Sequence, residues 1–158
     1  MEEGGETNLV LRAIRERRSI RAFKDKPVPR EVIRKIIEAG NWAPSVRNLQ
    51  PWRFVVVRSE EIREVMRETA FHNWKNAMEA LREENPEEYH FYEKQAERDD
   101  PVYFSAPVTV FVIGLSSPNL ALACENMMLA AHSMGLGSCY VGWGALIKIA
   151  WSSSRYLS

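Results

Sequence analysis

Two short runs limit the folds open to this chain. Arg53-Phe54-Val55-Val56-Val57 and Pro107 to Ile113 are rich in β-branched residues, nearly continuous in apolar character and too short to be buried helices. Such runs read as strands covered on both faces. Segments of helical period surround them. Asn8 or Thr7 can cap a first helix to about Arg17, with Leu9, Ala13 and Ile14 on one stripe. Val32, Ile33, Ile36 and Ile37 mark a second helix, for which Gly40 is the expected stop. Ser59 caps a third through about Glu68. Ser117-Pro118 opens a long helix carrying Leu122, Met127, Met128 and Leu129, which stops at Gly135-Leu136-Gly137 before a third short strand, Ser138 to Val141. Strands alternating with helices predict an α/β or α+β layered domain around a covered sheet.

With 158 residues the chain is long enough for a core of its own and reads as a single domain over 1–158. Residues 71–100 interrupt the alternation with a helical, charge-rich excursion broken by Pro86. Its acidic side chains read as a solvated face. Its Phe71, Trp74, Tyr89, Phe91 and Tyr92 fit two uses equally: stacking in a mobile cover over a planar substrate, or docking the excursion onto the domain. Lys plus Arg and Asp plus Glu balance at 21 each, and nucleic-acid binding needs a cation surplus, so no nucleic-acid partner is expected. No run approaches the ~20 apolar residues of a membrane span, and MEEGGETN has no signal-peptide pattern. Only two cysteines, Cys124 and Cys139, are present. A reduced, cytoplasmic protein is the expectation.

Several chemistries lack their residues. His72, His90, His132 and the two cysteines show no zinc-ligand spacing, so no metal is expected. There is no GxSxG, no Walker loop and no GxGxxG, and Cys124 lies in an apolar helix where a thiol is inert. Two other segments carry more. Residues 12–26 hold seven cations against Glu16 and Asp25, a density suited to a small anion. If Arg17 to Arg21 is extended, Arg17, Ser19 and Arg21 share a face, and forked guanidiniums with a hydroxyl match a phosphate monoester. Spacing alone favours a solvated cluster. The second segment, Ala43 to Trp52, is bounded by Pro44 and Pro51 and offers Ser45, Asn48 and Gln50 just before a strand. Those groups can read the edge of a polar heterocycle or bond their own backbone in a turn, and pattern alone slightly favours the turn.

Taken together, RRSIRAF, then APSVRNLQPWRF, then ACENMMLAA followed by GLGSCY resemble the flavin-dependent nitroreductase family, in order and over roughly Leu9 to Gly144. The resemblance implies an α+β fold with a central mixed sheet covered by helices. It implies a homodimer, with the apolar helix from about Asn119 to Met134 in the interface. It assigns Arg17, Arg18 and Ser19 to the phosphate and ribityl chain of FMN, and Arg21 to the pyrimidine edge. Pro44, Ser45 and Asn48 would line the isoalloxazine, with Gln50 supporting the loop and Gly142 and Trp143 near N5. The implied reaction is ping-pong: NAD(P)H gives hydride to N5 and leaves, then a nitroaromatic, quinone or similar acceptor is reduced in its place. No side chain need act as nucleophile. Residues 145–158 do not resemble the family's usual ending, so its last strand and embracing extension are expected to be missing, weakening flavin retention and the dimer. The alternatives are another flavin chemistry on the same scaffold, such as reductive dehalogenation, a non-catalytic flavin-binding or interaction remnant, and a nucleotide-binding regulatory domain.

Overall fold

The computed structural model describes residues 8–114 and 116–142. Its elements in chain order are α1 (Leu9–Glu16), α2 (Arg30–Asn41), β1 (Trp52–Val57), α3 (Glu60–Glu84), α4 (Pro86–His90), α5 (Glu93–Ala96), β2 (Thr109–Gly114) and α6 (Ser117–Ser133). They fall into two compact units, one made of residues 8–58, 105–114 and 116–140, the other of 59–104 and 141–142.

In the first unit, Asn8 starts α1 because its Oδ1 accepts from the Val10 and Leu11 amides at 3.0 and 3.2 Å. β1 and β2 pair antiparallel, with Trp52 opposite Gly114 and Val57 opposite Thr109. Among the described residues, β1 is covered on one face from Trp52 to Val56. Trp52 is buried and Phe54 and Val56 are half-buried, while Arg53 and Val55 between them are exposed. The inward face meets the turn after α2 and the start of α6: Ala43, Trp52 and Ala123 form a core on which Phe54, Val112 and Leu120 pack. The expected third strand is reduced to one parallel pair, Ser19 with Ser138.

Gly40 does not stop α2. The helix runs through it to Asn41, and Gly40 is buried. A Cβ there would lie 2.9 Å from Met127 Cγ, 3.0 Å from its Sδ and 3.1 Å from Phe54 Cζ, so the missing side chain is what lets α6 approach α2. On α6, Asn119, Ala123, Met127 and Ala131 form the buried stripe at four-residue spacing. Gly135 does end α6. With φ 76° it takes the left-handed position after the helix. Its amide reaches the His132 carbonyl, and the Leu136 amide the Ala131 carbonyl, each at 2.9 Å.

In the second unit, α3 continues well past Glu68 to Glu84. Residues 60–84 hold neither Gly nor Pro, and Met66, Ala70, Trp74 and Met78 keep one buried stripe throughout. Asn85 then breaks it and caps α4, accepting from the Glu88 amide at 3.2 Å with Pro86 in the first turn. The Arg82 guanidinium lies over the Tyr89 ring, 5.9 Å from its centroid. Buried Asp100 accepts from the Val102 and Tyr103 amides at 3.2 and 2.8 Å. Burial, with the Asp100 charge adding to it, pushes the Tyr103 phenol well above its usual range. Of the excursion's aromatics Trp74 is buried, Tyr89 and Tyr92 are half-buried, and Phe71 and Phe91 are exposed.

Adding a methyl at Gly40 tests the close approach of α2 and α6. Overpacking costs about 1–3 kcal/mol and exceeds the helix-propensity gain of about 0.5–1 kcal/mol. Gly40→Ala should therefore lose about 1–2 kcal/mol in urea unfolding with an unchanged m-value. Equal or greater stability would show that Met127 yields freely.

Candidate functional site

The two segments singled out by their polar groups both lie in the first unit, each fastened by a different device. The Arg17–Arg21 segment leaves α1 in extended backbone, with Arg17 at φ −56°, ψ 136°. It is tied to the segment after α6 by the Ser19–Ser138 pair and by the Ile20 amide, which donates to the Ser138 carbonyl at 2.9 Å.

The cations here are differently engaged. Arg12 pairs with Glu16 at 3.0 Å. Arg18 Nη1 donates to the Arg15 carbonyl at 2.6 Å and the Arg17 carbonyl at 2.8 Å, so this guanidinium covers acceptors at the end of α1. Arg17 is different. Its side chain is 23% exposed, its Nε lies 3.9 Å from Glu125 Oε1 on α6, and its Nη1 is buried without a hydrogen-bond partner. The Ser138 hydroxyl is likewise buried and unpartnered. A charged donor left so is costly. Oxygen acceptors of an anion would satisfy Nη1, and a protonated hydroxyl can donate to the same group. Ser19 and Arg21 are exposed on this segment.

The second segment is held in strained backbone. Arg47, Asn48 and Gln50 have φ of 53°, 54° and 45°, each left-handed conformation costing a non-glycine residue about 1–2 kcal/mol. Surrounding bonds impose it. Ser45 Oγ accepts from the Gln50 amide at 2.9 Å, Gln50 Nε2 reaches the Asn41 carbonyl at 3.4 Å, and Trp52 Nε1 donates to Asn41 Oδ1 at 3.0 Å. The Ser45 hydroxyl and the Gln50 amide thus fasten the turn, leaving Pro44, Arg47 and Asn48 exposed on it. Strain of this kind collects where a loop must hold one shape for a ligand.

Gly142 is exposed at the end of the described residues, and Trp143 lies outside them. Burial pushes the Cys124 thiol up, which keeps it protonated and poorly nucleophilic. Among the described residues no group of three or more His, Cys, Asp or Glu could hold a metal ion, and no helix is long and apolar enough to cross a membrane. Asn41, Gly137 and Ser138 are the contributors that spacing did not single out. Asn41 carried a local signal, a side-chain acceptor opening a polar loop that ends in Trp52. Ser138 carried none, because its partner Ser19 is remote in sequence.

Comparison with known proteins converges on one family. A family model described as "Nitroreductase family" matches residues 14–150. A "Putative NADH dehydrogenase/NAD(P)H nitroreductase" of Methanothermobacter thermautotrophicus is 33% identical over 142 residues, covering 84% of this chain and 60% of its own. The chain thus spans about three-fifths of that relative's length. An FMN-bound nitroreductase from Bacteroides fragilis superimposes with a TM-score of 0.68 at 29% identity, over 87% of this chain and 71% of its own. An iodotyrosine deiodinase bound to FMN and 3-iodo-L-tyrosine does so with a TM-score of 0.71 at 25% identity, over 81% of this chain and 71% of its own.

Asn41 is the testable anchor of the strained turn. Asn41→Ala leaves the buried Trp52 indole N–H unpaired, at a cost of about 1–3 kcal/mol. Asn41→Asp keeps an acceptor and should lose less than half as much in urea unfolding. Equal losses would show that the Trp52 bond is not what matters.

Proposed function

The chain belongs to the nitroreductase family, and from that premise we propose that it is an FMN-dependent oxidoreductase that takes hydride from NAD(P)H and reduces a nitroaromatic, quinone or similar acceptor by a ping-pong mechanism. The observation that carries this reading is the buried, unpartnered Nη1 of Arg17, two residues before the Ser19–Ser138 pair. A phosphate monoester is dianionic over most of the neutral range and offers oxygens to guanidinium and hydroxyl donors alike, so the donor set fits the FMN phosphate.

Bound FMN supplies the two-electron chemistry, and the protein positions it. Arg17 and Ser19 hold the phosphate. Arg18 assists by closing the end of α1, which fixes where Arg17 leaves the helix. Arg21 follows on the same extended segment and brings positive charge to the pyrimidine edge, favouring the electron-rich ring. Pro44, Ser45 and Asn48 present a rigid surface to the isoalloxazine, with Asn48 bonding its polar edge and Gln50 bracing the turn. Gly142 and Trp143 complete the reading near N5. A second reading, reductive dehalogenation of an aromatic substrate on the same scaffold, is favoured by the likeness to iodotyrosine deiodinase. Both use the same phosphate site and differ in acceptor.

The reading extends to a homodimer. α1 buries none of its own residues, and Leu9 and Val10 are 78% and 64% exposed. A second copy covering α1 and the outer side of α6, where Leu122 is exposed, would remove that apolar surface from water. Sedimentation over a dilution series should show a dimer stabilised by FMN. A monomer at high concentration with FMN present would refute it.

Purified protein reconstituted with FMN should show the visible bands of bound flavin and oxidise NAD(P)H when an acceptor is added. Losing one charge-assisted bond weakens binding roughly 10- to 150-fold, so Arg17→Ala should raise the FMN Kd by that factor and Arg18→Ala by much less. A colourless protein that cannot be reconstituted, or an Arg17→Ala variant with unchanged affinity, would sink the assignment.

A further inference from the structure

Gly137 is not part of the helix stop that Gly135 provides, and it touches none of the groups assigned above to the flavin. Its place is set by Ile20. A Cβ at Gly137 would lie 2.9 Å from Ile20 Cγ1 and 3.0 Å from both Ile20 Cβ and Cγ2. Non-bonded carbons settle at about 3.5–4.0 Å. Ile20 cannot relieve the clash by turning its side chain, because all three atoms sit at the branch and Cβ moves only with the backbone. The backbone concerned carries the adjacent Ser19 and Arg21, with Arg17 three residues before Ile20. It is fixed at this point by the Ile20 amide bond to the Ser138 carbonyl at 2.9 Å. Any side chain at 137 therefore pushes the Ser19–Arg21 segment away from Ser138 by about 0.5–1 Å. A hydrogen bond stretched that far is largely lost.

We propose that Gly137 is a positioning residue for phosphate recognition: by leaving Ile20 room to pair with Ser138, it sets the spacing at which Arg17, Ser19 and Ser138 face one anion, and so sets the preference for FMN over riboflavin. This rests on the flavin reading above. Apart from Arg21 at the pyrimidine edge, the ring contacts come from the separate turn at 43–50, braced by Asn41 without involving Gly137, so they are left in place when the phosphate donors shift.

The test measures the Kd for FMN and for riboflavin, by quenching of flavin fluorescence, in the unaltered protein and in Arg17→Ala, Gly137→Ala, Ile20→Gly and the Ile20→Gly/Gly137→Ala double variant. Thermal unfolding is followed in parallel. Gly137→Ala should raise the FMN Kd about tenfold or more, the loss of one charge-assisted bond, and the riboflavin Kd by less than about threefold. Ile20→Gly removes Cβ, Cγ1 and Cγ2, so the double variant should recover most of the FMN preference, the non-additivity expected of residues in direct contact. If Gly137→Ala does not fold, recovery of the preference in the double variant supports the proposal in its stead, and absence of recovery there overturns it. An equal loss of FMN and riboflavin affinity, or an unchanged FMN Kd in a protein that Arg17→Ala does weaken, also overturns it while leaving the flavin reading standing. If Arg17→Ala changes neither ligand's affinity, it is the flavin reading that fails.

Discussion

Gly40 and Met127 meet so closely that a Cβ at position 40 would lie 2.9 Å from Met127 Cγ, and Met127 would have to shift to admit one. The consequences run outward from that contact. Asn126, next to Met127, donates to the Ala39 carbonyl at 3.2 Å, an acceptor near the end of α2 that also receives the Trp42 amide. Asn41, one residue past Gly40, then directs the strained turn into β1 through the Gln50 amide and the Trp52 indole. Glu125, one residue before Asn126, faces Arg17. Two neighbouring positions on one helix thus reach the Arg17 segment and the end of α2 that leads into the strained turn.

On the proposed flavin reading, the two segments solve different physical problems. A phosphate needs charge and donors held against water's competition, and partial burial of Arg17 supplies that at the cost of leaving Nη1 unsatisfied in its absence. A planar ring needs a surface that does not move. Three left-handed residues in a row of four, locked by Ser45, Asn41 and Gln50, have few alternative conformations to visit. Neither device involves a nucleophile or an acid–base pair, as expected where a cofactor carries the reaction.

Much of this was legible from local pattern. Asn8 announces a helix start by side-chain chemistry alone, and the antiparallel pair β1 and β2 lies where the two apolar runs fall. Local rules failed where they met a long-range contact. Gly40 sits near the end of a helical pattern and reads as a stop, but its function is set by Met127, distant in sequence. Gly135 and Gly137 look like one signal and perform two tasks, a left-handed helix ending and a clearance for Ile20. Glu68 reads as the end of α3 only because the apolar stripe thins there. No breaker follows until Asn85, so the helix continues. The extended backbone of the Arg17–Arg21 segment is where alternation put it, whereas its pairing with Ser138 is one that no spacing rule reveals.

If Arg17 and its neighbours bind the phosphate of FMN, they bind it as a dianion. Phosphorus NMR of the FMN-loaded protein, followed as pH falls from 8 to 5, examines that group alone. Free FMN should titrate with the second phosphate pKa near ~6. In the complex, a guanidinium holding the charged form depresses that pKa, so the bound resonance should stay at its dianion position through the point where the free ligand shifts. A bound resonance that titrates like free FMN would contradict the account, because it would leave the phosphate in solvent and Arg17 without the partner its burial calls for.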